Sequence, residues 1–509
     1  MGHLQDMPSD ILMMIISYIH KPKDITALSI QFRRVHALCD LPTRRKYSRI
    51  RIRKDQHLDN AFKILLSILR KPRLGLLVHR LEVDRQVRFQ VPCAMRGWER
   101  SVPNDDLAKL KTAISAAFTG DERDYVLNLV MQNPPTECRV GVREGSDPTR
   151  HRHTLVGQAL AALLITVCPH LEHLVIVPIR SRHIDRGLPR PPLDLLLERV
   201  KSSKGKSEYL QEVRAIEFLT PFSDIRERHA PCSLLRGMRL VRRLPNLSTV
   251  SIAGLVKLDG PVYEYRGVWS KVCCIQLHHC DLNTEHLTSL LCCVERLRKF
   301  TYTPGCVDIA TGSVFSQTEP PQKFNPATLL RCLLRHKDSL ESLDLDLAYQ
   351  CIPFGDSLPI SVDDRLMREK YLEHPETKSP PTPLEYMTGS LRDCSALTRL
   401  KIDVVTLFYF ADGLGPVLPR NLDSIDLVSQ LPPDLHSLRV RGYEPGKIHY
   451  YDRQLWTLLR QGKKERPFLQ EVKGIKHPIK QHRPLGFDPG FFRHHVSAIS
   501  PDDWTDYEY

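Results

Sequence analysis

Apolar residues follow two patterns along the chain, one within the first fifty residues and one that recurs after residue 75. Near the N-terminus they recur at helical spacing in two short segments separated by Pro22. Ser9 is predicted to be the N-cap of the first helix, and Asp24 is predicted to cap the second. A helical segment of about forty residues buries too little apolar surface to be stable alone. The pattern therefore favours contact with a partner or with a neighbouring domain.

The first predicted helix is apolar well beyond a single stripe. Its regularly spaced apolar residues are Ile11, Leu12, Ile15, Ile16 and Ile19. Those of the second segment are Ile25, Leu28, Phe32 and Val35. Because Met13, Met14 and Tyr18 are also apolar, the first helix is predicted to be buried on several sides. The alternative is that the two helices form the N-terminal hairpin of a larger globular core.

This segment resembles an F-box of the kind that begins many fungal F-box proteins. The resemblance rests on Met7-Pro8, Asp10-Ile11-Leu12, Ile15, Tyr18-Ile19, Asp24, Leu28 and the basic pair Arg33-Arg34. After that pair the family often has an aromatic residue, whereas this chain has Val35-His36. In the family, the F-box binds a Skp-type adaptor and through it a cullin-RING ubiquitin ligase. The resemblance implies an F-box over residues 4–52, with adaptor contacts at Pro8, Ile11, Leu12, Ile15, Ile16 and Leu28.

Beyond residue 75 a phrase of three apolar residues returns, with two residues between the first and second and one between the second and third. Its copies begin at Val78, Leu171, Val213, Leu247, Val272, Leu297, Leu340, Leu397, Leu422 and Leu435. The middle residues Val250, Ile275 and Phe300 are 25 apart, as are Leu400 and Ile425. Leucine-rich repeats have a period of about 20–29 residues, and residues 272–282 match their consensus best.

Each repeat predicts a strand whose alternate residues face a core, followed by a helix on the outer arc. Cys280 takes the consensus Cys/Asn position, where its side chain is predicted to close the turn against backbone amides. Leucines at helical spacing predict helices near residues 155–164, 287–294 and 329–334. The predicted fold class is α/β, a small all-α F-box followed by a leucine-rich-repeat solenoid of irregular repeats. A generic α/β domain with alternating strands and helices is the alternative.

The solenoid is predicted over residues 75–450, with insertions near 85–153, 303–325 and 353–390. The phrase at Leu435 follows its predecessor too closely for a full repeat, which predicts a C-terminal cap. Residues 451–509 are predicted to be a basic, mostly irregular tail with one short helix at 455–459.

Charge changes this picture little. The chain carries a net charge of +14, which suits an acidic partner or favours solubility. In the densest basic run, Arg44 to Lys54, Ile50 and Ile52 alternate with arginines and predict a half-buried strand with a basic outer face. A solvated strand face is favoured over nuclear localisation or nucleic-acid contact. A basic protein that binds nucleic acid, with binding weakened by salt, is the least favoured functional hypothesis.

The sequence carries no motif for a nucleotide cradle, a zinc protease or a serine hydrolase. The Cys/His cluster within residues 273–293 lacks a C-x-x-C pair, which favours core thiols over a zinc site. No catalytic residue, cofactor or metal ligand is predicted. The chain has neither a secretory signal pattern nor a long apolar run, and its 14 cysteines are predicted to be reduced. These features predict a cytoplasmic or nuclear protein without a membrane span.

Together the patterns and the resemblance predict a non-catalytic substrate-recognition subunit of an SCF-type ubiquitin ligase. Such a subunit acts by proximity, since it holds the lysine of a target near a conjugating enzyme. Exposed strand positions of the repeats are expected to contact an unidentified target protein: Gln276, His278, Thr301, Asp344, Asp346, Lys401 and Asp403. The alternative is a leucine-rich-repeat scaffold for protein interactions that has no ubiquitin-ligase role.

Overall fold

The computed structural model describes most of the chain between residues 7 and 479. The described ranges are 7–19, 22–52, 55–83, 100–131, 148–176, 190–203, 208–219, 222–223, 228–229, 238, 240–253, 271–280, 282, 284–304, 326–347, 387–414 and 426–479. These residues contain fourteen α-helices and thirteen strands, so the α/β class predicted from the sequence is confirmed. The chain forms two compact units, Met1–Val175 with Arg190–Val213 and Ile176–Pro189 with Arg214–Tyr509.

The first unit contains most of the helices. Its elements are α1 Ser9–Tyr18, α2 Pro22–Ser29, α3 Arg33–Cys39, α4 Leu41–Ser48, β1 Arg49–Ile52, α5 Asp55–Arg70, β2 Arg80–Val83, α6 Asn104–Ala117, α7 Asp121–Val130, α8 Pro148–Val167, β3 His173–Ile176 and α9 Pro192–Ser202. Strands β1, β2 and β3 pair in parallel in that order. Ile50 and Ile52 are buried whereas Arg49 and Arg51 are partly exposed, which confirms the half-buried basic strand. Arg53 lies outside the described residues.

Helix α8 is the centre of the first unit. Every residue from Val156 to Ile165 is buried, and α8 contacts α5, α6, α7, α9 and β2. Helices α6 and α7 lie within the segment 85–153 that the sequence marks as a polar insertion, so residues 104–117 and 121–130 of that insertion are helical. Leu110, Ile114 and Val126 are buried, which ties both helices to the core of the unit.

The second unit alternates strands and helices. Its elements are β4 Ala215–Leu219, β5 Phe222–Ser223, β6 Arg228–His229, β7 Thr249–Ala253, β8 Cys274–Cys280, α10 Thr284–Cys292, β9 Lys299–Pro304, α11 Pro326–Leu334, β10 Ser342–Leu345, β11 Arg399–Asp403, α12 Val404–Asp412, α13 Leu427–Gln430, β12 Ser437–Arg441, α14 His449–Glu465 and β13 Glu471–Lys473. Eight of these strands form a parallel sheet in the order β4-β7-β8-β9-β10-β11-β12-β13, while β5 and β6 form a separate antiparallel pair.

The apolar phrase marks nine parallel strands in the two units, namely β2, β3, β4 and β7–β12. In all copies except the one that begins at Leu422, the three apolar residues are buried and the second and third lie in a strand. In β9, for example, Phe300 and Tyr302 are buried and Leu297 is buried just before the strand. The helices predicted before β3, β9 and β10 are present as α8, α10 and α11. Helices α5, α9 and α12 were not predicted.

The copy at Leu422 adds no strand to the described sheet between β11 and β12. Leu422 and Ile425 lie outside the described residues, but Leu427 begins helix α13 and β11 pairs directly with β12. The spacing of the phrase does not distinguish a strand from a turn that leads into a helix. The phrase at Leu435 is a full parallel strand, so the prediction of a C-terminal cap there is wrong.

The segment predicted to be an irregular tail contains regular secondary structure within residues 451–479. The predicted short helix at 455–459 is the middle of α14, which has 17 residues, and β13 adds a further parallel strand beside β12. Residues 480–509, and most of the predicted insertions at 303–325 and 353–390, lie outside the described residues. Among those that are described, no helix combines the length and the apolar character needed to cross a membrane.

Candidate functional site

Helices α1, α2 and α3 enclose a small apolar core of their own. Its buried members are Leu12, Ile16, Ile25, Val35 and Cys39. Ile19, Leu28, Phe32, Leu38 and Leu41 pack against these residues and are partly buried. The Arg34 guanidinium donates a hydrogen bond from Nη2 to Ser9 Oγ at 2.9 Å, which connects the start of α3 to the start of α1. The N-terminal helices are therefore held together by their own side chains.

Two apolar stripes run along α1, and only one of them faces this core. Leu12, Ile16 and Ile19 recur at helical spacing and pack inward. The other stripe contains Ile11, Met14 and Tyr18, at the same spacing on a different side of the helix. Ile11 is 36% exposed and Tyr18 is 72% exposed.

Large exposed apolar side chains are concentrated in this part of the chain. Among the described residues nine such side chains are exposed, and six belong to residues 7–30: Met7, Ile11, Met13, Met14, Tyr18 and Ile30. The other three are Leu76, Trp456 and Phe468. Contiguous exposed apolar surface of this kind is typical of interaction sites.

The residues predicted to contact an adaptor fall into three groups. Pro8 and Ile11 are exposed, and Ile15 and Leu28 are partly buried. Leu12 and Ile16 are fully buried in the helical core, so in this structure they stabilise the helices and offer no surface to a partner. The sequence analysis did not select Met14 and Tyr18 for this surface. Their spacing of three and seven residues from Ile11 is the signal that identifies them.

Details of the helix ends differ from prediction. Pro8 occupies the N-cap of α1, and Ser9 is the first helical residue, so the N-cap prediction for Ser9 is wrong. Pro22 begins α2, and Asp24 lies in its first turn. Such acidic residues favour a helix N-terminus through the helix dipole as well as through capping.

A second predicted surface is the face of the parallel sheet in the second unit. The strand register aligns eight residues in one row across this face: Glu217, Ser251, Gln276, Thr301, Asp344, Lys401, Arg439 and Lys473. Gln276, Thr301, Asp344 and Lys401 of the predicted target contacts lie in this row. The register therefore places four predicted residues side by side although they are far apart in sequence.

Exposure of these predicted contacts is uneven. Lys401 is exposed, and His278 and Asp344 are partly exposed. Gln276 and Thr301 are buried, so the expectation that they are exposed is wrong. Gln276 lies between Ser251 and Thr301 on strands about 4.8 Å apart, and neighbours at that distance cover a short side chain from both sides.

Asp346 and Asp403 are also buried, contrary to prediction, with exposures of 1% and 0%. Asp403 accepts hydrogen bonds from the backbone N–H of Thr406 and of Leu347, both at 2.9 Å. It therefore caps α12 and binds the chain just after β10. Burial raises the pKa of Asp403 to about 6, against the opposing effect of these hydrogen bonds. This carboxylate stabilises the fold.

Asp344 is held by cations on the same face. Arg441 Nη1 lies 2.8 Å from Asp344 Oδ1, and Lys401 Nζ lies 3.4 Å from Oδ2. The partly exposed surface of this part of the sheet therefore consists of an ion-paired carboxylate beside the accessible ammonium of Lys401.

The cysteine-rich segment contributes Cys280 and Cys293 to the core, whereas Cys273, Cys274 and Cys292 are partly exposed. Cys280 is buried and donates from Sγ to the carbonyl oxygens of His278 and Ile252, at 3.3 and 3.6 Å. These acceptors are carbonyls of β8 and of the neighbouring strand β7. The predicted burial of the Cys280 side chain is confirmed. The side chain of His279 lies outside the described residues. Within the described ranges, no three His, Cys, Asp or Glu residues are grouped in a way that would hold a metal ion.

Comparison with known proteins found no relative: no family model matches the chain, and the search of curated proteins found no match.

Proposed function

We propose that this chain is the substrate-recognition subunit of a ubiquitin ligase of the Skp-cullin-F-box type. In this proposal the N-terminal helices bind a Skp-type adaptor, and the sheet of the second unit holds a target protein. The observation that carries the proposal is the exposed stripe of α1, Ile11, Met14 and Tyr18, on helices that already have a packed core. Because the core does not need these side chains, their exposure is best explained by a partner that covers them.

Only some of the residues predicted to contact the adaptor are available for docking in this proposal, because Leu12 and Ile16 are buried. Pro8, Ile11 and Tyr18 offer surface to an adaptor, and Ile15 and Leu28 lie at its margin. Apolar and aromatic side chains at the centre of an interface usually supply most of its binding free energy. A charge introduced at Ile11 or Tyr18 should therefore abolish binding while the helices remain folded.

The test is co-expression with a Skp-type adaptor, followed by size-exclusion chromatography of the wild type and two double variants. Ile11→Asp with Tyr18→Asp places two carboxylates on the exposed stripe. Gln31→Asp with His36→Asp is the matched control, because it adds two carboxylates at exposed polar positions elsewhere in the N-terminal helical segment, in the turn after α2 and on α3. Substitution of Leu12 is unsuitable here, since its loss would disrupt the core of the helices.

We expect a stable complex with the wild type and with the control, and loss of the complex with the stripe variant. Circular dichroism that is unchanged in the stripe variant would show that folding is retained. If the wild type remains soluble and monomeric and binds no adaptor, the proposal is wrong. The repeat scaffold without a ligase role would then be the better account of the exposed strand face.

A further inference from the structure

Helices α10 and α11 bring two cysteine side chains together. The helices precede the paired parallel strands β9 and β10, and they pack against each other within the second unit. Cys292 is the last residue of α10 and is partly exposed, whereas Cys332 lies within α11 and is buried. The two thiols are hydrogen-bonded to each other, although they are far apart in the sequence. We call Cys292 and Cys332 the thiol pair.

Neighbouring residues on both helices hold the thiol pair in place. Thr288 lies one turn before Cys292 on α10, and its side chain is also hydrogen-bonded to Cys332. Arg335 lies one turn after Cys332, where its backbone N–H still donates to the carbonyl oxygen of Arg331 at 3.2 Å, as in a helix. The Arg335 guanidinium donates from Nη1 to the backbone carbonyl oxygen of Cys292 at 3.5 Å, and it also reaches the Cys292 thiol. The contact between the two sulfur atoms therefore follows from the packing of α10 on α11.

The two thiols differ in how readily they lose a proton. The hydrogen bond from Cys332, together with the charge of Arg335, lowers the pKa of Cys292 to about 7 against the opposing effect of burial. The same hydrogen bond, together with burial, raises the pKa of Cys332 well above its usual range. Near pH 7 about half of Cys292 is therefore thiolate, which is the nucleophilic form, while Cys332 keeps its proton.

We propose that the thiol pair is a site of reversible oxidation by hydrogen peroxide, which converts it to a disulfide between α10 and α11. A partly exposed thiolate next to a second thiol is the arrangement typical of redox-sensitive cysteines. In this site Cys292 meets the oxidant, and Cys332 is the resolving thiol that reacts with the oxidised sulfur. The inference goes beyond the proposed function, because it requires neither an adaptor nor a target protein.

The reaction consumes one peroxide for each thiol pair. The Cys292 thiolate attacks a peroxide oxygen and the O–O bond breaks, which leaves a sulfenic acid on Cys292 and a hydroxide that takes up the proton released by the Cys292 thiol. The Cys332 sulfur then attacks the Cys292 sulfur, so that an S–S bond forms and the S–O bond breaks. The second hydroxide takes up the Cys332 proton. Two electrons pass from the thiols to the peroxide, and two water molecules result.

The test treats the full, reduced chain with hydrogen peroxide at pH 7, alkylates the remaining thiols and identifies linked peptides by mass spectrometry. In the wild type we expect a peptide pair that joins Cys292 to Cys332 and that dithiothreitol separates. Cys292→Ser should abolish this link. Cys273→Ser is the matched control, because it removes another partly exposed thiol of the same unit, and it should leave the link unchanged.

The roles of Cys332 and Arg335 are tested separately. In Cys332→Ser the sulfenic acid of Cys292 has no resolving thiol, so its labelling by dimedone should rise several-fold over the wild type. Cys394 should stay unlabelled if the variant is folded, because burial raises its pKa to about 12. Arg335→Gln should slow formation of the link at pH 7 by about threefold or more. Arg296→Gln, which removes an equal charge from another exposed position, should not slow it.

Several results would overturn the proposal. One is a thiol pair that stays reduced in peroxide, and another is a link from Cys292 to some other cysteine more often than to Cys332. Equal dimedone labelling of Cys292 in the wild type and in Cys332→Ser would show that Cys332 does not resolve the sulfenic acid. A link that forms equally fast in concentrated urea would show that the folded helices do not bring the two thiols together.

Discussion

Helix α1 and the strands β10 and β11 depart from the usual distribution of residues in opposite directions. In α1, Ile11 and Tyr18 are apolar yet exposed, whereas Asp346 and Asp403 follow or end a strand and are acidic yet fully buried. The described structure accounts for the buried acidic residue Asp403 but not for the exposed apolar residue Tyr18. Asp403 is bound by two backbone N–H groups of its own unit, so its burial is explained by the fold. Tyr18 lies outside the described core of the N-terminal helices, and this exposure is the basis of the proposed adaptor contact.

The largest expected change in stability comes from comparing substitutions at two adjacent residues of α1, Leu12 and Ile11. Leu12→Ala should lower the free energy of unfolding of the N-terminal helices by about 2–5 kcal/mol, because it creates a cavity in their core. Ile11→Ala should change it by no more than about 0.5 kcal/mol, since Ile11 is exposed. Hydrogen exchange of the amides in α1, α2 and α3 measures both. Similar losses in the two variants would mean that the two stripes of α1 are not distinct.

A smaller effect is expected at the buried carboxylate. Asp403→Asn replaces one acceptor oxygen by an NH2 group that faces a backbone N–H, which should cost about 1–3 kcal/mol. The cost should also depend on pH. Because burial raises the pKa of Asp403 to about 6 in the folded state, above the value of about 3.9 for a free aspartate, the folded protein binds an extra proton between these values.

The stability that Asp403 contributes is therefore greatest near pH 4 and decreases as the pH rises through 6. Asparagine does not titrate, so the stability difference between wild type and Asp403→Asn should be larger at pH 4.5 than at pH 7.5. Urea unfolding of both proteins at the two pH values measures this difference. A difference that is constant with pH, or that grows as the pH rises, would show that burial of Asp403 does not control its titration.

These contrasts also explain which parts of the structure the sequence predicts. The strand phrase works because a parallel strand buries alternate residues, so Leu343 and Leu345 identify β10 from residue type alone. The phrase fails where the backbone conformation requires glycine at a position that otherwise carries an apolar residue. At the last strand, β13, the third position of the phrase is Gly474, directly after the strand, with φ of +91° and no room for a Cβ, which would lie 1.8 Å from the carbonyl oxygen of Val440. No apolar pattern marks such a strand.

The candidate sites depend on information that periodicity does not contain. Leu12 and Ile11 are adjacent and equally apolar, and only the positions of α2 and α3 decide which of them is buried. Asp344 lies in β10, and Asp346 is the first residue after that strand. The two are an even number of residues apart, as residues on one face of a strand are, yet Asp344 is partly exposed and Asp346 is buried. The charged row of β1, β2 and β3 likewise requires the parallel register of three strands that begin at Arg49, Arg80 and His173, about which the basic run of the first strand alone gives no information.

The smallest expected effect is the coupling free energy of the Asp344 ion pair, which distinguishes this partly exposed carboxylate from the buried carboxylate of Asp403. Asp344 and Arg441 are ion-paired at 2.8 Å, and both side chains keep contact with solvent. A double-mutant cycle of Asp344→Asn and Arg441→Gln should give a coupling free energy of about 0.2–1 kcal/mol. The coupling should decrease between 50 mM and 500 mM salt, over which the Debye length shortens about threefold, because ions screen a pair that water reaches.

Lys401 provides the control for this cycle. Its Nζ is more distant from Asp344, at 3.4 Å, and its side chain is 47% exposed, so a cycle with Lys401→Gln should give a smaller coupling. If the Asp344–Arg441 coupling instead exceeds the cost of Asp403→Asn and is insensitive to salt, this face of the sheet is shielded from water. Asp344 would then be a structural residue like Asp403, and the exposed part of the candidate target surface would shrink to Lys401 and its exposed neighbours on β11 and β12.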